Sequence, residues 1–95
     1  MNMQAMIQQA QKLQKEVENT KKELESTIYR IEKEFLEIEA NGKKQITKLK
    51  IKEKVEIDEI FEDIILVTIN ELFEKIDKEK QQKMNKYGSG LNGLI

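Results

Sequence analysis

The run Phe35-Leu36-Glu37-Ile38-Glu39-Ala40-Asn41-Gly42-Lys43-Lys44-Gln45-Ile46-Thr47-Lys48-Leu49-Lys50-Ile51 decides the fold of this chain. In its first half Leu36, Ile38 and Ala40 alternate with acidic residues, the period of two that lines one face of a strand. In its second half Thr47, Leu49 and Ile51 share a face in the same way. Asn41-Gly42 follows the first run at once. An Asn-Gly pair between alternating runs is the strongest short-range hairpin signal, because a type I′ turn needs positive φ at both central positions. The spacing predicts antiparallel strands over residues 35–41 and 44–51. Upstream, Thr27-Ile28-Tyr29-Arg30-Ile31 is β-branched and aromatic, which predicts a third strand over 26–32. A helix continuing from residue 1 to 40 is the competing reading of that stretch.

Both flanks read as helices. Met3, Met6, Ile7, Ala10, Leu13, Val17 and Leu24 recur in steps of one helix face over residues 3–24, with Gln, Lys and Glu between them. This stripe is narrow and calls for a single partner helix. The second helix starts at Asp58, a suitable N-cap, with Glu59, Glu62 and Asp63 where carboxylates favour the helix dipole, and reaches about residue 86. Around 64–69 it is apolar nearly all the way round, so it needs two partners, the sheet and something else. Such a helix is roughly 43 Å long at about 1.5 Å per residue. A compact globule of this size is only about 32 Å across. The second helix must therefore protrude, and the start of the first helix is expected to run beside its end as an arm. The prediction is an α+β fold in the order α-β-β-β-α, one domain over residues 1–87 and a flexible Gly/Ser/Asn tail over 88–95. The apolar surplus on the sheet and on Ile64–Ile69 predicts a two-fold homodimer with two projecting arms. Asn70, set in that apolar face, is either a buried residue that fixes dimer register or an exposed one.

Composition narrows the chemistry. The 95 residues hold 17 Lys+Arg and 18 Asp+Glu, a net charge of −1, which excludes a strongly polycationic DNA-coating protein. Zero Cys and zero His remove disulfides, thiolate nucleophiles, the commonest zinc ligands and the usual general base. No enzymatic activity, metal or other cofactor is expected. Glu16, Glu23, Glu32 and the Glu62-Asp63 pair read as solvated surface and helix-dipole partners rather than as ligands or an acid/base pair. No apolar run approaches the ~18–20 residues that span a bilayer, and the N-terminus lacks a basic region followed by an apolar one. The expectation is a soluble cytoplasmic protein with no membrane and no small-molecule substrate.

The charges are nonetheless segregated. Residues 1–15 carry Lys12 and Lys15 and no Asp or Glu, and residues 80–95 carry Lys80, Lys83 and Lys86 and none either. Residues 56–79 hold nine acidic residues against Lys75 and Lys78. A second basic run from Lys43 to Lys54 has six Lys and one Glu.

Three stretches together resemble the YbaB/EbfC family of bacterial nucleoid-associated proteins. Met6-Ile7-Gln8-Gln9-Ala10-Gln11-Lys12-Leu13-Gln14 is similar to the opening helix of that family, and Ile38 to Ile51 to its strand, Asn-Gly, strand signature. Glu62-Asp63-Ile64-Ile65, Asn70, Lys83-Met84 and Gly88-Ser89-Gly90 resemble its second helix and tail. The resemblance spans nearly the whole chain. It departs where the family has a glycine-rich turn between its first two strands, here Glu32-Lys33-Glu34. It departs again after the third strand, where Lys52-Glu53-Lys54-Val55-Glu56 carries no Pro. What the resemblance implies is a tweezer-shaped homodimer that binds double-stranded DNA in the nucleoid and acts in its organisation or in gene expression.

On that reading Lys12, Lys15, Lys80, Lys83 and Lys86 at the arm tips contact phosphates, with Gln8 and Gln11 adding hydrogen bonds. Lysines of the hairpin guard strand edges, so charge reversal at Lys43, Lys44 and Lys48 is expected to change binding little. Sequence preference should be weak, since Arg30 is the only Arg and nothing resembles a helix-turn-helix. On composition alone a charge run is more often a solvated face than a binding site. The alternative from another class is a coiled-coil or prefoldin-like interaction module whose arms grip polypeptide.

Overall fold

A computed structural model describes residues 2–52 and 54–88. The predicted tail lies outside these residues apart from Gly88. The order is α1 (Met3–Ser26), β1 (Ile28–Lys33), β2 (Leu36–Asn41), β3 (Ile46–Ile51) and α2 (Glu59–Met84), closed by a 3-10 turn over Asn85–Tyr87. The α-β-β-β-α, α+β expectation holds, and a helix running on to residue 40 is excluded. The α1 helix ends because Thr27 turns into extended backbone while its hydroxyl and N–H both donate to Glu23 O, at 2.6 and 3.0 Å. Asn2 caps its start through a 3.0 Å bond from Gln4 N, and Asp58 caps α2 through a 2.9 Å bond from Phe61 N.

The sheet has the order β1-β2-β3, antiparallel throughout, with Ile31 opposite Ile38 and Ile38 opposite Leu49. On one face α2 lies over β1 and β2, and Tyr29, Leu36, Ile38, Ala40, Leu72 and Ile76 make the core. Phe35 stacks on Phe61 with ring centroids 5.3 Å apart and closes the end of this core. The helix does not reach β3. Ile46, Leu49 and Ile51, on the same face as the core, are left exposed, as are Ile57, Ile60, Leu66 and Val67 on and before the first half of α2. Asn70 is exposed in the single chain.

The β2–β3 turn departs from the expected geometry. The β2–β3 loop is not a type I′ turn centred on Asn41-Gly42. Asn41 is the last residue of β2, its N–H bonds Gln45 O at 3.0 Å, and Lys44, at φ 60°, takes the left-handed position. This is the three-residue form of a hairpin loop, stabilised by Asn41 Oδ1 accepting from the N–H groups of Lys43 and Gln45 at 2.9 and 3.1 Å. Gly42 serves another need. It packs on the end of α1, its N–H donates to Glu25 O at 3.1 Å, and a Cβ there would lie 1.8 Å from Leu24 O. The β1–β2 turn places Glu34 at φ 50°, where glycine is usual.

The molecule is 68 Å long and 19 by 14 Å in section, with a radius of gyration of 18.8 Å against about 12 Å for a compact chain of this size. It protrudes as expected, but not with the two helix ends side by side. The α2 helix uses its length from Glu59 to Ile76 over the sheet, and only its last two turns run outward along α1. There Leu24 and Met84 are buried and the Thr20 and Tyr87 hydroxyls share a 2.9 Å hydrogen bond. Beyond Val17, residues 3–16 of α1 are all exposed and continue alone, roughly 20 Å further at about 1.5 Å per residue.

Candidate nucleic-acid interface

The free half of α1 is built to present polar donors. Its apolar residues Met6, Ala10, Leu13, Val17 and Leu24 fall on one side and turn toward the packing face at the root of the arm. On the other side, Gln4, Gln8, Gln11, Lys15, Asn19 and Lys22 follow one another in steps of three and four, with Lys12 beside them. All seven are exposed. At about 100° per residue, Glu18 and Glu25 border this stripe on one side and Glu16 and Glu23 on the other, so no carboxylate stands within it. Neither Lys12 nor Lys15 makes an ion pair among the described residues.

The lysines of the second helix divide. Lys83 is exposed, and the Lys86 ammonium lies 4.9 Å from the centre of the Tyr87 ring. Both stand beside the inner half of α1, where Tyr87 meets Thr20, rather than beside Lys12 and Lys15, because α2 ends there. Lys80 does not join them. It is 8% exposed, and its Nζ donates to Gly42 O at 2.7 Å. The reason is its spacing: Leu72, Ile76, Lys80 and Met84 succeed one another every fourth residue, and all four are buried. That step was legible in the sequence, and only the ionic character of Lys80 argued for placing it outside.

Much of the positive charge of the hairpin is already engaged. Lys48 Nζ lies 3.1 Å and Arg30 Nε 3.0 Å from Glu37 Oε1, and Lys52 Nζ lies 2.7 Å from Glu32 Oε2. Arg30 also pairs with Glu32, and Lys44 reaches Asp77 at 3.2 Å. These partners hold the Glu37 carboxyl at about 2, well below its ordinary value, first through the hydrogen bond from Arg30 and then through that from Lys48. The hydrogen bond from Lys52 lowers Glu32 in the same direction. Lys43 and Lys50 make no ion pair among the described residues.

No described helix is long and apolar enough to cross a membrane. No solved structure matches the chain. Among curated proteins, a nucleoid-associated protein of Mycoplasmopsis pulmonis is 38% identical over 93 residues, covering 95% of this chain and 93% of its own length. A nucleoid-associated protein of Ligilactobacillus salivarius is 33% identical, covering 99% of this chain and 95% of its own length. A third, from Lactococcus lactis, is 32% identical with 96% and 97% covered. The model of the YbaB/EbfC DNA-binding family matches residues 1–91. Helical arm, hairpin and second helix all fall inside that span, and the chain belongs to the YbaB/EbfC DNA-binding family.

Proposed function

We propose that the protein is a cytoplasmic, nucleoid-associated homodimer that clasps double-stranded DNA through its helical arms with little sequence preference, and so acts in nucleoid organisation or gene expression. The observation that carries this reading is the exposed, acid-free Gln/Lys stripe along the free half of α1. Phosphates attract such a surface whatever the base sequence, and Gln8 and Gln11 add donors to it. Engagement of Lys44, Lys48 and Lys52 in ion pairs favours the arm over the sheet as the main contact. Dimerisation rests on the uncovered apolar face of β3 together with the first half of α2. There Ile60, Ile64 and Val67 line an open groove of about 280 Å³ beside the β1–β2 turn. A second copy covers both surfaces at once if its α2 lies on β3.

The test is a mobility-shift series in increasing salt. Each phosphate contact contributes about −0.9 to the slope of log K against log salt, so Lys12→Glu/Lys15→Glu, with four lysines lost per dimer, should flatten the slope by about 3.6 and weaken binding. Lys50→Glu on the sheet is the control and should leave it unchanged. Retention of the full slope by the arm variant would reject the arm as the DNA surface. Binding to an unfolded polypeptide but not to duplex would favour the chaperone-type alternative.

A further inference from the structure

We propose a second phosphate-binding site at the root of the arm, formed by Lys22 of α1 and Lys43 of the β2–β3 loop. It takes a phosphodiester of the same duplex that lies on Lys12 and Lys15, and so rests on the DNA-binding reading above. The acid-free stripe of α1 does not stop at the tip. It runs on through Asn19 and Lys22 to Ser26, and Lys15 and Lys22, seven residues apart, share one face about 10 Å apart along the axis. At its end is an open hollow of about 250 Å³ lined by Lys22, Glu25, Ser26, Asn41, Lys43 and Gln45.

The hollow is preorganised. Gly42 has no room for a side chain against Leu24 and donates to Glu25 O, while Lys80 holds the Gly42 carbonyl from the α2 side. The loop that carries Lys43 is thereby fixed against α1. Asn41 Oδ1 takes the N–H groups of Lys43 and Gln45, and Asn41 Nδ2 donates to Gln45 Oε1 at 2.8 Å, so these two backbone amides are spent on the loop itself. Ser26 Oγ donates to Glu23 O at 3.1 Å. The ammoniums of Lys22 and Lys43 remain, both exposed and without an ion pair among the described residues, against the single carboxylate of Glu25. Two cations on a fixed frame, at the end of a path bordered by carboxylates, suit a bridging phosphate better than a freely moving lysine pair would. This departs from the expectation that Lys43 acts only as an edge guard. Lys44 and Lys48, which are ion-paired, still fit that role.

The full chain is tested as Lys22→Gln/Lys43→Gln in the same salt series, beside Lys12→Gln/Lys15→Gln. A thermal melt checks that both double variants keep the fold, as expected for exposed side chains. The expected result is a salt slope about 2 lower than wild type for the root variant, reflecting one bridged phosphate per subunit, two per dimer, at about 0.9 each. An unchanged slope in the root variant, with a flattened slope in the Lys12/Lys15 variant, overturns the root site and leaves the arm reading standing. No binding of DNA by wild type overturns both. A titration of DNA-free protein with inorganic phosphate, followed at the amides of Ser26 and Lys43, separates the two sources of phosphate. Shifts there at low millimolar phosphate, combined with an unchanged DNA slope, would assign the hollow to the free ion and overturn the DNA role.

Discussion

At the scale of single residues, the fold turns on Gly42 and Lys80. Gly42→Ala forces a Cβ onto the α1 backbone, 1.8 Å from Leu24 O. It should destabilise the chain by about 1–3 kcal/mol or more, the range for overpacking, and a lowered urea midpoint is the readout. Lys80→Met keeps the buried stem and removes the donor to Gly42 O. An unpaired buried carbonyl costs about 1–3 kcal/mol, whereas the same change at exposed Lys83 should stay within about 0.5 kcal/mol. Equal melts for the two variants would show that the Lys80 bond contributes nothing. The Asn-Gly pair announced a hairpin correctly but for a reason that the structure replaces. Lys44 supplies the positive φ, and Gly42 is required by a helix that lies distant in sequence. No local rule carries a contact of that kind.

At the scale of elements, the outer face of the sheet is held by charge. Glu37, 6% exposed, sits between Arg30 and Lys48 from the two neighbouring strands. Its folded value of about 2 lies below that of an ordinary glutamate, 4.5, so the fold favours the ionised form. That contribution to stability is complete above pH 4.5 and is lost as pH falls toward 2. Glu37→Gln should abolish this part of the acid dependence, read as melting temperature against pH; parallel curves for the two proteins would refute it. Periodicity made the strands and helices legible because each buries one regular face: Leu36, Ile38 and Ala40 on β2, Leu72 and Ile76 on α2. It could not say how far the two helices overlap. That depends on how much of α2 the sheet consumes, which is a property of packing rather than of either sequence segment.

At the scale of the whole molecule, the uncovered row of Ile46, Leu49 and Ile51 sets the expected assembly. Leu49→Asp puts a charge in the middle of that row and should convert a dimer into a monomer by sedimentation at micromolar concentration, with its helix content largely kept. A wild-type chain that sediments as a monomer would remove the two-armed arrangement altogether. The stripe of Gln and Lys on α1 was legible as composition, since residues 1–15 lack any acid, but its continuation to Lys22 and Lys43 needed the hairpin to be seated on the helix. The free half of α1 has a further consequence. Residues 3–16 touch no other element deeply enough to be covered, and a helix segment of about that length is only marginally stable by itself in water. Heating should therefore melt the arm inward from its tip well before the sheet and α2 unfold. The stiffness of the arm becomes a function of temperature, greatest in the cold and restored by whatever holds the tip in helical form.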